Sequence, residues 1–471
     1  MQSAAEWRRR AEGLARAGKF AEAAEAYRKE AAIYRKNGDT EGAKVEEAKA
    51  ARLSSGIRLF AHLPGVEPKI MSPLAKWEPP YGCYLGGFID RDERLSSTFN
   101  DENFQSHESP EAFGELTGKK HASVFCYLSY GRPFPKKWVA RLKAQGVAPH
   151  IAWEPNEGLQ VVQRDSYLRQ FALDCAAAQC PIFLRFASEM NGDWTRYGGD
   201  ANAQDYIVKW QLVQQVFGQL APNVAMVWCV NVIPEKNITK FYPGDAFVDW
   251  VGINFYSVPF YDNDPSRPGL ADNPADYLKY VYATYATKKP IAICEFGASH
   301  LSKADSKDRS AWASKKINEL YASLPRLYPR VKLVDIFDMD NLKYATPGRQ
   351  LNNYSITDSD EVLAGYKRAI APDYFLSRIG ATAQVATTVA IPATGLSVPS
   401  GELRISAWAR CYANDFRVTY KLDGKDAASI AEPGAREATV TLSQGLHKLA
   451  ALVTDDKGRV AARTEASVIA K

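Results

Sequence analysis

Between about residues 56 and 375, short apolar, strand-like runs alternate with helical stretches, the pattern of parallel βα units. Eight such runs stand out: Gly82–Asp90, Ala122–Tyr130, Ala148–Glu154, Ile182–Ser188, Val224–Val230, Val248–Tyr256, Ile291–Glu295 and Val331–Asp338. Helical spacing fills the intervals, as in Asp165–Ala178, Asp205–Leu220 and Asp276–Thr287. Each run is followed by polar or Gly/Pro residues, and eight repeats predict an α/β fold, a closed (β/α)8 TIM barrel. Gly86-Gly87 follows strand-like residues, but neither a helix nor a third glycine comes after it, so a dinucleotide-binding turn is not indicated.

The two flanks read differently. Residues 3–54 are rich in Ala, Glu, Lys and Arg at helical spacing, and Leu14–Tyr27 resembles a tetratricopeptide repeat: a small residue at the turn, an aromatic after it, and alanines that let two helices approach. A weaker second unit begins at Ala31 and turns at Gly38. A stand-alone solenoid needs about three repeats, so the expectation is an α-helical hairpin packed on its neighbour, with a protein partner at these helices left open. At the other end, Thr387–Pro399 reads as linker or edge strand. The alternating runs Leu403–Ala409, Phe416–Leu422, Ala438–Leu442 and Lys448–Thr454 follow, separated by turns such as Asp423-Gly424. Short strands at this spacing predict a β-sandwich resembling an immunoglobulin domain. The expected division is therefore 1–55, 56–378 and 379–471.

Composition narrows the function. The chain has 59 basic and 54 acidic residues among 471, with no basic arm, which argues against nucleic acid as partner. No apolar run reaches the roughly 18–20 residues that span a bilayer, so no membrane partner is expected. Met1–Arg10 is polar, without the apolar centre of a signal peptide. The seven cysteines are irregularly spaced, and Cys83, Cys126, Cys229 and Cys294 fall inside apolar runs, where a free buried thiol is the ordinary reading. Neither a disulfide framework nor a metal pattern is visible. With 10 Trp, 24 Tyr and 20 Phe, aromatic faces are plentiful for stacking on sugar rings.

In a barrel of this kind the site is built at the C-terminal ends of the strands. The fourth run places Glu189 where an apolar strand ends, in Pro181-Ile-Phe-Leu-Arg-Phe-Ala-Ser-Glu-Met-Asn-Gly-Asp-Trp194; the seventh does the same with Glu295 in Pro290-Ile-Ala-Ile-Cys-Glu-Phe-Gly297. An unpaired buried charge is costly, so two such strands point to chemistry rather than architecture. A retaining glycosidase needs two carboxyls about 5–5.5 Å apart, one protonated and one ionised. The bland alternative is that each glutamate merely pairs with an arginine.

These motifs resemble glycoside hydrolase family 26. Its strand-four pattern appears as Arg185-Phe-Ala-Ser188-Glu189-Met190-Asn191-Gly192-Asp193-Trp194 and its strand-seven pattern as Glu295-Phe-Gly297. Further matching stretches are Leu116–Lys120, Ile151–Pro155 and Tyr242–Asp245 with Asp249. The resemblance implies a retaining endo-β-glycanase acting on mixed-linkage β-glucan, β-mannan or β-xylan, with Glu189 as acid/base and Glu295 as nucleophile. It implies a secreted or periplasmic location and no cofactor; a cytoplasmic location stays open. Tyr256, in Gly252-Ile-Asn-Phe-Tyr256, is expected to hydrogen-bond the nucleophile. Arg185, four residues before Glu189, is expected on the same strand face, beside a carboxylate. Asn191 and Trp194 follow the acid/base on its loop, and Trp153, Trp228 and Phe337, near the ends of strands three, five and eight, are candidate sugar platforms or core. Glu154 and Asp90 are candidates for sugar hydroxyls or solvated loop residues.

The sequence departs from the family pattern at Ser188, where the family usually has His, and in Asp335–Asp340, which lacks the expected Trp. Both changes put mannan specificity in doubt. The alternative from another class is a catalytically silent carbohydrate-binding barrel that serves as a scaffold.

Overall fold

The computed structural model describes residues 2–471 apart from 72, 96, 97 and 414. The chain forms two compact units: residues 68–270 with 274–385, and residues 1–67 with 271–273 and 386–471.

The larger unit is the barrel. Its parallel strands are β1 (Cys83–Phe88), β2 (Ser123–Ser129), β3 (Ala148–Glu154), β4 (Ile182–Phe186), β5 (Val224–Asn231), β6 (Trp250–Ser257), β7 (Ile291–Ala298) and β8 (Val331–Phe337). Pairing runs unbroken from β1 through β8, β7, β6, β5, β4 and β3 to β2. A 2.8 Å bond from the Ala122 N–H to the Leu85 carbonyl joins the two ends of the sheet. All eight expected runs are strands. The difference lies at their ends: β4 stops at Phe186, short of Ser188, while β7 continues past Glu295 to Ala298. Polar caps start the helices between them, as where Asp165 accepts from the Leu168 N–H at the head of Ser166–Ala178.

Strand parity sorts the side chains, since successive residues point to opposite faces. Inside the barrel, His150 Nδ1 and Asp335 Oδ2 lie 2.8 Å apart. Gly86 makes room for this pair, because a Cβ there would sit 1.8 Å from Asp335 Oδ1. Outside, Trp153 stacks on Phe171 at 4.2 Å, and Trp228 meets the edges of Tyr242 and Tyr285. All seven cysteines are free thiols.

The smaller unit begins with three helices, Ala4–Arg16, Phe20–Lys36 and Thr40–Leu53, rather than the expected hairpin. Arg8 ties them together, bonding Glu30 and Tyr34 on the second helix and Glu46 on the third. Two sheets follow. One orders 387–390, 56–63, 401–410 and 438–442; the other orders 396–398, 460–470, 445–455, 416–422 and 425–430. They enclose one apolar core and so form a sandwich. Phe20 stacks on Tyr412 at 4.1 Å, packing the helices on the sandwich.

The strand Gly56–Leu63 belongs to that sandwich, pairing antiparallel with 404–410 and 387–390, whereas the sequence places it at the start of the barrel. The physical reason is its alternation. Leu59, Ala61 and Leu63 enter the sandwich core and Ile57 packs against it, while Arg58, Phe60 and His62 take the other parity, so the polar residues fall on one face of the strand, an alternation broken only at Phe60. The barrel unit accordingly begins near residue 68 and ends near 385.

Candidate active site

Glu189 and Glu295 both stand where regular structure breaks. After Phe186 the chain leaves β4, with Ala187 and Glu189 in the left-handed region at φ 46° and 60°. Such strain in residues with a Cβ persists only where the surroundings enforce it. Here the neighbouring strands do so: the Ala187 N–H bonds the Trp153 carbonyl of β3 at 3.0 Å, and the Glu189 N–H bonds the Cys229 carbonyl of β5 at 2.9 Å. On β7 the register against β6 slips between Ile293 and Glu295, leaving Cys294 as a bulge and aiming Glu295 at the cleft.

The surroundings of the two carboxyls differ in kind. Glu189 meets only neutral donors: Asn254 Nδ2 at 2.8 Å and Asn231 Nδ2 at 3.0 Å on Oε1, and Trp194 Nε1 at 2.8 Å on Oε2. Burial, and then the negative charge of Glu295, raise its pKa above the ordinary carboxylate value, and the three donors only partly oppose this. Glu295 meets a formal cation, with Arg185 Nη2 2.8 Å from Oε1. It also accepts the Tyr127 hydroxyl at 2.6 Å and the Tyr256 hydroxyl. Burial keeps both phenols far above their usual pKa, so they serve as donors. Arg185 is wholly buried and lies over the faces of Phe125 and Tyr127.

Asn254 links the two centres. Its amide nitrogen donates to Glu189, while its amide oxygen accepts from Arg185 Nη1 at 3.2 Å. Both carboxyls line one cleft of about 430 Å³ together with Tyr127, Glu154, Asn156, Ser188, Trp194, Arg196, Tyr197, Asn254 and Arg349. Within the cleft wall, Glu154 accepts the Ser188 and Tyr197 hydroxyls, and burial pushes its pKa up to about 7.

The model of the family described as Glycosyl hydrolase family 26 matches residues 161–275, a stretch that contains β4, β5 and β6 and with them Glu189, Asn254 and Tyr256. Over that stretch the chain is similar to glycosyl hydrolase family 26. Among curated relatives, Endoglucanase H of Acetivibrio thermocellus is 26% identical over 280 residues, 56% of this chain and 29% of that protein. Beta-1,3-xylanase TXYA of a Vibrio species is 30% identical over 80 residues, 16% of this chain and 17% of that protein. The chain thus spans under a third of the length of the curated relatives it matches. Among solved structures, the catalytic domain of the Bacillus sp. JAMB-750 GH26 Endo-beta-1,4-mannanase aligns over 64% of this chain and 89% of that one, at 15% identity and a TM-score of 0.47.

Of the residues singled out from the family 26 motifs, the structure brings Glu189, Glu295, Arg185, Trp194 and Tyr256 together. Gly192 is what lets Trp194 fold back on Glu189, since a Cβ there would lie 2.3 Å from the indole. Asn191 is buried and reaches no cleft. Its amide instead clamps the backbone of Asn231, accepting from the N–H and donating to the carbonyl, both at 2.9 Å, and so positions a residue that holds Glu189. Three candidate platforms fail. Trp153 and Trp228 point outward to the helices and are fully buried, because Glu154 and Asn231, of opposite parity, occupy the inner face. Phe337 is buried against Phe88 at 5.3 Å, within the aromatic cluster that also takes in Tyr127 and Tyr256. Asp90 is taken up by His107 Nδ1 at 2.9 Å. Sequence reasoning missed Tyr127, Asn231 and Asn254, of which Tyr127 carried a usable signal: it stands two residues before the end of β2, on the parity that faces the mouth.

Proposed function

We propose that this chain is a retaining endo-β-glycanase that cleaves a β-linked polysaccharide through a glycosyl-enzyme intermediate. The observation that carries this reading is the contrast between two carboxyls in one cleft, Glu189 held by neutral donors with a raised pKa and Glu295 paired with Arg185. In the first step Glu295 attacks the anomeric carbon while Glu189 gives its proton to the departing glycosidic oxygen. The Tyr127 and Tyr256 hydroxyls fix the attacking oxygens in place, and Arg185 stays charged beside them because Glu295 offsets the cost of its burial. In the second step Glu189, now ionised, takes a proton from water, which attacks the same carbon and releases Glu295.

The candidate backbones are mixed-linkage β-glucan, β-mannan and β-xylan. The curated relatives include an endoglucanase and a β-1,3-xylanase, which supports a glucan or xylan backbone. The test is reducing-sugar release from soluble mixed-linkage β-glucan, β-mannan, β-1,3-xylan and β-1,4-xylan, with Glu295→Ala as blank. Release by the wild type and none by the variant is expected. Equal release by both overturns the role given to Glu295, and a folded wild-type protein that binds a polymer and never cleaves it overturns the reading in favour of a binding barrel.

A further inference from the structure

Arg196 and Arg349 line the same cleft as Glu189 and Glu295. Arg196 sits on the loop after β4, and Arg349 on the segment after β8. Both are exposed, and among the described residues neither side chain has a carboxylate within 4.0 Å or a hydrogen bond. Three other arginines of this unit are paired, Arg94 with Asp360 at 3.1 Å, Arg267 with Asp262, and Arg309 with Asp305; what sets Arg196 and Arg349 apart is their place in the cleft. Asp200 is engaged by Lys240 and Glu93 by Lys343, and among the described residues Asp193, on the loop that carries Arg196, forms no ion pair with it. Inside the cleft, Glu295 is matched by Arg185, and burial favours the neutral forms of Glu189 and Glu154. The cleft therefore presents two unmatched guanidinium groups, each a planar fork suited to a carboxylate.

We propose that the cleft accepts an anionic β-glycan, a backbone bearing carboxylate groups, which Arg196 and Arg349 hold on either side of the scission point. The proposal rests on the glycanase reading and deepens it by naming the substrate's charge. A neutral glycan would leave both forks to water or hydroxyls. A uronate or other carboxylated sugar forms charge-assisted bonds that also fix its register across Glu189 and Glu295.

The test measures equilibrium retention of the full-length Glu295→Ala protein in gels containing mixed-linkage β-glucan or glucomannan, each as the parent polymer and as its partly C6-oxidised, uronate-bearing derivative. The oxidised form is expected to retain the protein about fivefold more tightly than its parent, the scale of two exposed ion pairs. Adding Arg196→Gln and Arg349→Gln should remove that preference. Adding Lys367→Gln and Arg368→Gln, which delete as much charge from a barrel helix, should not. Equal behaviour on charged and neutral gels, including no retention on either, overturns the proposal, as does an equal loss from the control pair. Cleavage of any parent polymer by the wild type and not by Glu295→Ala keeps the glycanase reading standing whatever the charge result.

Discussion

The ends of β4 and β7 make an instructive pair. Each delivers a glutamate to the same cleft, yet one meets three neutral N–H donors and the other a buried guanidinium and two phenols. The strand that tells them apart is β6. Its inward residues Asn254 and Tyr256, two apart, serve different masters: Asn254 holds Glu189, and Tyr256 holds Glu295. Identical side chains thus receive different surroundings from what the adjacent strands place beside them, and the backbone irregularities at Ala187, Glu189 and Cys294 aim them.

Removing either carboxyl breaks this comparison most severely. Glu295→Ala should lower kcat on the order of 10⁵-fold with the circular dichroism spectrum unchanged, because no other group can form the intermediate, and should lower Tm, because Arg185 is left buried without its carboxylate. Glu189→Ala should cost about 10²–10⁴-fold on polysaccharide and much less on aryl glycosides, whose leaving groups need no proton. Rate measurements on both substrate classes check this, and a loss as large on aryl glycosides as on polymer would contradict it.

The supporting donors sharpen the comparison. Tyr127→Phe and Tyr256→Phe each remove a hydrogen bond to the Glu295 carboxylate, about 1.5–3 kcal/mol, so kcat should fall about 10- to 100-fold. The smallest effect is expected at Trp194. Its Nε1–H stabilises the ionised form of Glu189, so Trp194→Phe should raise the Glu189 pKa further. The alkaline limb of the kcat/KM profile, where the acid loses its proton, should then move up by about half a pH unit. A downward shift would mean that Trp194 acts otherwise than through this bond.

Much of this was legible in the chain. The eight apolar runs and the two terminal glutamates are local patterns, and so is the tyrosine at the end of β6. Other features depend on partners far away in sequence. Tyr127 meets Glu295 across 168 residues, and Asn254 meets Glu189 across 65, in a register that no local pattern fixes. Trp153 and Trp228 misled for a simpler reason: in a strand buried on both faces, the aromatic nearest the end can point to the helices as readily as to the mouth. The strand at 56–63 carried its own signal, an alternation that the barrel strands lack, but its partners lie more than 320 residues downstream.

The division of labour between Glu295 and Glu189 is tested most directly by trapping the intermediate. Wild-type protein is incubated with 2-deoxy-2-fluoro-β-glycosyl fluorides of the gluco, manno and xylo series, as mono- and disaccharides, digested, and mapped by mass spectrometry. The account predicts one sugar adduct, carried by the peptide containing Glu295 and absent from Glu295→Ala. An adduct on the peptide containing Glu189 would reverse the assignment and contradict the account.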